Sequence, residues 1–184
     1  MHFPEFFDLA PRISFRDPLA RFLGAAHEGI IEYSYADTVK LAGHSCPTVA
    51  SAYLMTRAAM RALYRDALPE RGGIRVELRG SRVDGTTGVV ANVASFLTGA
   101  TQDSGFKGIG GHFDQLNLLF FGVDLRGQLR FTRVDSGAAV SVSARLDRVP
   151  PDPRMAALLP KCLCNAATSE EAALFQSLWQ ARVE

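Results

Sequence analysis

The segment from Pro47 to Tyr64 constrains the fold of this chain more than any other part of the sequence. Mostly apolar side chains recur along it at helical spacing, and arginines stand at every fourth position on the opposite side. The first series is Val49, Ala52, Tyr53, Thr56, Met60, Leu63 and Tyr64, and the second is Arg57, Arg61 and Arg65. This pattern predicts an amphipathic helix with a solvated arginine face. Proline suits the first position of a helix because it lacks an N–H group, so we expect Cys46 to be the N-cap.

Cys46 and His44 are the candidate functional residues at the start of this helix. The dipole and free N–H groups of a helix N-terminus favour a thiolate, which is the form of cysteine that binds metals and attacks electrophiles. A His-x-Cys pair supplies two of the three or four ligands of a transition-metal site, so both residues are candidate ligands of zinc or another divalent transition metal. Cys46 is also a candidate catalytic nucleophile, with His44 as its base. A third interpretation is purely structural, because a buried free cysteine often packs as a small apolar side chain.

Four further residues are weaker candidates. Asn92 lies in an uncharged segment that we expect to be buried, where its amide must either face the His44–Cys46 loop or hydrogen-bond to buried backbone. His112, in a glycine-rich loop, is a candidate third metal ligand, and so are Cys162 and Cys164 of a Cys-x-Cys pair. The glycine-rich loop matches neither of the common phosphate-binding glycine motifs, so we do not expect it to bind a nucleotide.

The rest of the chain predicts short helices and strands on both sides of the central helix. In chain order we expect an aromatic arm over 1–16, packed on the body or on a second subunit, a helix from Pro18, a strand over 30–35, a helix capped by Asp37 and running to 41, a strand over 74–78 and a helix over 88–97. Strands over 116–123, 129–135 and 138–146 follow, and then a helix ending at 159 and a helix from Ser169. The last three strands are joined by turns and predict an antiparallel meander. Because strands and helices do not alternate regularly, we expect an α+β fold, with a mostly antiparallel sheet and helices packed on one face.

Length and composition indicate one domain with almost no net charge. A chain of 184 residues, 47% of them hydrophobic, can bury its own core. We divide it into an N-terminal arm and short helix (1–34), a core (35–147) and a helical tail (148–184). A net charge of +1 gives no basis for binding nucleic acid or an anionic membrane surface. Three cysteines, an odd number, argue against a disulfide framework, and no signal-peptide pattern is visible, so we expect a cytoplasmic protein.

The motif Gly43-His44-Ser45-Cys46-Pro47, followed later by an uncharged segment ending Thr98-Gly99-Ala100-Thr101, resembles the FmdE-like family, which takes its name from a component of formylmethanofuran dehydrogenase. The likeness covers residues 35–147. In that family the His and Cys of the first motif are metal-binding and active-site residues, which implies those roles for His44 and Cys46. The second family segment carries two cysteines and an aspartate, and this chain has Val89 and Ala100 in place of the cysteines and Asn92 in place of the aspartate. The C-terminal zinc ribbon of some members has no counterpart here.

The resemblance implies an FmdE-like α+β core, a homodimer and a transition-metal site, most simply zinc, with a small polar molecule bound beside it. Three interpretations of function stay open. The first is a metal-binding protein, with or without enzymatic activity. The second is a metal-free thiol enzyme that uses Cys46 and His44. The third is a non-catalytic accessory component of a redox complex, as the family's namesake suggests.

Overall fold

The computed structural model describes residues 2–184, so Met1, the first residue of the predicted arm, lies outside it. The helices are α1 (Phe6–Leu9), α2 (Pro18–Phe22), α3 (Tyr35–Ala42), α4 (Pro47–Tyr64), α5 (Thr87–Thr98), α6 (Met155–Leu163) and α7 (Ser169–Ala181). The strands are β1 (Ile13–Arg16), β2 (Ile30–Tyr33), β3 (Ile74–Leu78), β4 (Leu119–Phe120), β5 (Leu129–Arg133) and β6 (Ala139–Val142). This mixture of helices with mixed or antiparallel sheets confirms the α+β prediction.

The larger sheet has the strand order β4-β3-β5-β6, which differs from the predicted meander. β5 pairs with β6 in antiparallel fashion as expected, but β3 lies between β4 and β5. β4 is two residues long and runs parallel to β3, with Val76 opposite Leu119. The reason is that α5 lies between these two strands in the chain and packs on β3, so the chain returns to the sheet in its original direction.

The two faces of this sheet differ in polarity. Ile74, Val76 and Leu78 of β3 point into the core, which α4 and α5 cover. On the other face Glu77 accepts two hydrogen bonds of 2.7 Å from the guanidinium of Arg130 on β5. These bonds hold the pKa of the Glu77 carboxyl below its ordinary value. One face is therefore apolar and covered by helices, and the other carries a bidentate ion pair.

The helix α4 has the predicted boundaries and lies at the centre of the core. Val49, Ala52, Tyr53, Ala59 and Met60 are at most 1% exposed. The Tyr53 hydroxyl donates to the carbonyl oxygens of Pro11 and Tyr33, and burial raises the pKa of Tyr53 to about 12. The fully buried side chains of α4 thus connect the N-terminal strands to the main sheet.

The N-terminal arm packs on its own chain. Phe7 is 2% exposed, stacks on Phe3 and meets the edge of Tyr35. β1 and β2 form a separate two-stranded antiparallel sheet, with Ile13 opposite Tyr33. The sequence pattern predicted β2, although that strand ends two residues earlier than expected, and gave no sign of β1. The arm was predicted to pack either on the body or on a second subunit, and in the structure it packs on the body.

The sequence did not predict α1, and the other helices start and end close to the predicted residues, with local corrections. α3 is capped by Ser34, which exchanges hydrogen bonds with Asp37 in a capping box, so Asp37 is the third residue of the helix and not its cap. α6 continues past 159 to Leu163 with Pro160 inside it. α7 begins after a capping box of Thr168 and Glu171. Among the described residues no helix is both long and apolar enough to cross a membrane.

Candidate functional site

The site lies where α3 ends and α4 begins. Gly43 ends α3 in the left-handed conformation, with φ at 76°, a geometry that glycine adopts without strain. Cys46 is extended, with φ at −153° and ψ at 164°, and its Sγ accepts a hydrogen bond of 3.5 Å from the backbone N–H of Val49. Cys46 is therefore the N-cap of α4, as predicted, and its sulfur lies at the positive end of the helix dipole.

His44 turns back onto Cys46. The distance from His44 Nε2 to Cys46 Sγ is 3.4 Å, and His44 Nδ1 lies 3.0 Å from the carbonyl oxygen of Ala42. A carbonyl oxygen only accepts hydrogen bonds, so in the neutral ring Nδ1 carries the proton and Nε2 is the acceptor. The ring is thus oriented with its basic nitrogen towards the thiol.

Ser45, between these two residues, anchors the loop to distant parts of the chain. Its Oγ lies 2.9 Å from the hydroxyl of Tyr35 at the start of α3. Its backbone carbonyl accepts hydrogen bonds from Trp179 Nε1 at 2.9 Å and from Gln180 Nε2 at 3.5 Å, both on α7. Burial raises the pKa of the Tyr35 hydroxyl above its ordinary value. Nothing in the sequence indicated that Tyr35, Ser45 or Trp179 belongs to the site. The contact from Trp179 joins residues far apart in the chain, so no local pattern predicts it.

A cavity of about 320 Å³ lies along the same side of α4. Ala50, Tyr53 and Leu54 line it from α4, and Tyr35, which is bonded to Ser45, lines it from α3. Cys46 precedes Ala50 by one helical turn, but neither Cys46 nor His44 lines the cavity. The N-terminal arm and the last two residues of the chain complete a mostly apolar lining.

The weaker metal-ligand candidates lie elsewhere. His112 is exposed and lines a different cavity, together with Asp17 and Arg71. Cys162 is half-buried in α6, and Cys164, which ends that helix, is exposed. Across residues 2–184 no three His, Cys, Asp or Glu side chains are grouped closely enough to hold a metal ion. His44 and Cys46 are therefore brought together as a pair, and the three other candidates do not complete a metal site with them.

Asn92 is on α5, as predicted, but its side chain is not buried. The buried residues of α5 are Ala91, Val93, Ala94, Leu97 and Thr98, and Asn92 is exposed. The expectation of burial was wrong because an uncharged helix can still present one side to solvent. An exposed amide is free to hydrogen-bond to solvent, so burial gives no reason to place Asn92 at the site.

Comparisons with protein-family models, with curated proteins and with solved structures give no match to this chain. The likeness to the FmdE-like family therefore stays a prediction from the motif residues.

Proposed function

We propose that this protein is a thiol enzyme in which Cys46 is the nucleophile and His44 the general base. The observation that carries the proposal is the 3.4 Å approach of His44 Nε2 to Cys46 Sγ, with Nδ1 tied to the Ala42 carbonyl. A nucleophile within reach of a base, with the base oriented by a third group, is the arrangement that activates a thiol. The N–H of Val49 and the helix dipole add stabilisation for the thiolate.

The reaction class that fits these groups is acyl transfer or hydrolysis. His44 Nε2 takes the proton of Cys46, and Sγ bonds to an electrophilic carbonyl carbon of the substrate. The protonated His44 then gives that proton to the leaving group as its bond to the carbon breaks, which leaves a thioester on Cys46. Water, deprotonated by His44, attacks the thioester carbon, and the carboxylic acid leaves as the thiol is regenerated.

The apolar cavity that begins one helical turn along α4 from Cys46, at Ala50, favours a substrate with an apolar group, although Cys46 and His44 do not line it. The family resemblance implies a small polar substrate, whereas the lining by Ala50, Leu54 and the N-terminal arm favours an alkyl or aromatic group in the part of the substrate that enters the cavity. A volume of about 320 Å³ is at the lower end of the range for small-molecule sites.

Alkylation of Cys46 tests this proposal. In a Cys162→Ser, Cys164→Ser background the remaining thiol is Cys46, so one modification by iodoacetamide reports on it alone. We expect His44→Ala to slow labelling by about tenfold or more, and Arg126→Ala, a charge change in the loop before β5, to leave it unchanged. Equal labelling rates with and without the His44 side chain would exclude His44 as the base. Faster labelling by N-alkyl iodoacetamides of increasing alkyl chain length would support the apolar cavity as the substrate site.

A metal held by His44 and Cys46 is the second candidate. Two ligands of one tetrahedral zinc ion lie about 3.6 Å apart when one is sulfur and the other nitrogen, close to the observed 3.4 Å. A histidine that binds a metal also usually donates its other N–H to an oxygen, as His44 does to Ala42. The described chain offers no third ligand, so this candidate needs one from outside, which a homodimer could supply.

A further inference from the structure

A pocket lined by four arginines lies near the C-terminal end of α4. Its volume is about 140 Å³, and its arginines are Arg12, just before β1, and Arg57, Arg61 and Arg65, on α4 and at its end. No Asp or Glu among residues 2–184 lines it. The helical rise puts Arg61 about 22 Å from Cys46 along α4, so this arginine pocket is separate from the proposed thiol site.

Three of these arginines carry charges that no carboxylate compensates. Arg12 pairs with Glu32 at 2.8 Å, whereas Arg57, Arg61 and Arg65 form no ion pair within residues 2–184. Arg57 Nε donates to the Arg12 carbonyl oxygen at 3.3 Å, which holds the Arg57 side chain at the pocket. Arg61 and Arg65 are exposed, so a ligand can reach their guanidinium groups. The arginine face that the sequence predicted to be solvated is therefore one wall of a concave site.

The dipole of α4 accounts for only part of this charge. A helix C-terminus carries about half a negative charge, which favours a cation in the last turn. Arg57 lies about two turns before that end, and the three arginines stand four residues apart, a spacing at which like charges on a helix repel. Most of the positive charge therefore remains in the pocket, and a bound anion would neutralise it.

Ser14 of β1 is a second, independent sign of an anion site. β1 pairs with β2 along one edge, and along its other edge the Arg16 N–H donates to the carbonyl oxygen of Pro69 at 2.8 Å. Alternate residues of a strand direct their N–H groups to opposite edges, so the Ser14 N–H lies on the same edge as that of Arg16. No acceptor outside the β1–β2 pair bonds to it in the part of the chain that the structure describes. Ser14 is half-buried and lines the arginine pocket, where its N–H is a free donor.

The charge and size of the pocket select the kind of anion. Three uncompensated guanidinium groups match a doubly charged phosphate group better than a singly charged carboxylate. Guanidinium forks and backbone N–H groups are both common donors to phosphate oxygens. A volume of about 140 Å³ is below the range of sites for larger small molecules, so the pocket suits one anionic group with few further atoms.

We propose that the arginine pocket binds the phosphate group of a small phosphorylated molecule. The phosphate oxygens accept hydrogen bonds from the guanidinium groups of α4 and from the Ser14 N–H, and a small organic group on the phosphate packs against Leu68 and Pro69 at the rim. Binding is non-covalent and does not depend on the chemistry proposed at Cys46.

Calorimetry and thermal unfolding of the full chain test this inference with inorganic phosphate, methyl phosphate and acetate at equal ionic strength. We expect both phosphates to bind and to raise the unfolding temperature, and acetate to do neither. Arg61→Gln and Arg65→Gln should each weaken phosphate binding about tenfold, because each removes a charged donor. Arg126→Gln, the same charge change at an exposed position before β5, is the matched control and should leave binding unchanged. Ser14→Ala should have a smaller effect than the arginine variants, because its backbone N–H remains.

Four results would overturn the inference. Acetate as effective as phosphate, or a loss in Arg126→Gln equal to that in Arg61→Gln, would reduce the effect to general charge screening. The absence of phosphate binding would leave the arginines of α4 as a solvated face. Binding to vesicles that contain phosphatidic acid, but not to free phosphate, would make the arginines a membrane contact. Arg61→Glu reverses the charge at an exposed position, and unchanged phosphate affinity in that variant would remove Arg61 from the site.

Discussion

The His44–Cys46 site and a second cavity, of about 270 Å³ and lined by Asp17, Arg71 and Gln115, are built in opposite ways. The contacts that orient the His44 and Cys46 side chains lie within residues 42–49, at one helix end and the next helix start. The second brings together α2, the segment before β3, the end of α5 and the loop before β4. A site made of local contacts keeps its geometry when distant residues change, whereas a site made of tertiary contacts is lost with them. Substitutions should therefore affect stability most at the cavity and chemistry most at Cys46.

The largest expected effect on stability is that of Arg71→Met. It removes the partner of Asp17, whose side chain is 5% exposed, and leaves that carboxylate buried without its counter-charge. We expect the free energy of unfolding to fall by about 3 kcal/mol in urea titrations. Arg61→Met, on the exposed side of α4, is the matched control and should change it by less than about 0.5 kcal/mol. A similar small change in both would mean that the cavity does not depend on the Asp17–Arg71 pair.

Substitutions at Gly43 and Gly99 compare the packing around the two sites under nearly identical backbone strain. Gly43 and Gly99 both end helices with φ near 77°, but a Cβ at Gly43 meets nothing within 4 Å, whereas at Gly99 it meets Arg71 and Gln115 at 3.2–3.3 Å. Gly43→Ala should cost about 1 kcal/mol from backbone strain alone. Gly99→Ala should cost about 2 kcal/mol in the same urea titrations, because the neighbouring side chains must also move. Equal losses would show that the packing around Gly99 yields freely.

Trp179→Phe tests the contact that joins α7 to the Cys46 site. The substitution keeps most of the ring and removes the N–H that donates to the Ser45 carbonyl at 2.9 Å. We expect a loss of about 1 kcal/mol in unfolding free energy and less than a twofold change in the rate of Cys46 alkylation. A tenfold slower alkylation would instead show that α7 positions the His44–Cys46 pair.

Cys46→Ser should have the smallest effect on stability. Serine is a good N-cap and replaces the sulfur that accepts from Val49, so unfolding free energy should change by less than about 1 kcal/mol while alkylation at this position is lost. A loss of several kcal/mol would indicate that Cys46, 8% exposed, is chiefly a packing residue.

The sequence predicts best where local chemistry determines the structure. Pro47 and Cys46 set the start of α4 and Gly99 sets the end of α5, because a missing N–H, a capping acceptor and a positive φ act on their own helix. The same local signals predict that His44 and Cys46 act together, and the structure has their side chains 3.4 Å apart.

The features that the sequence could not predict depend on distant partners. The position of β3 between β4 and β5 follows from how α5 packs, and β4 itself has only two residues. The exposure of Asn92 depends on which side of α5 meets the core, which an uncharged sequence does not reveal. The bonds from Trp179 to Ser45 and the meeting of Arg71 with Gln115 likewise join residues far apart in the chain.

The most direct test of the proposed role of Cys46 measures metal content and Cys46 reactivity on the same untagged sample. If Cys46 is a nucleophile activated by His44, elemental analysis should find well under one transition-metal ion per chain, and the alkylation rate of Cys46 should be the same before and after treatment with a chelator. About one zinc ion per chain, with alkylation of Cys46 beginning only after chelation, would contradict the thiol-enzyme proposal and identify the pair as metal ligands.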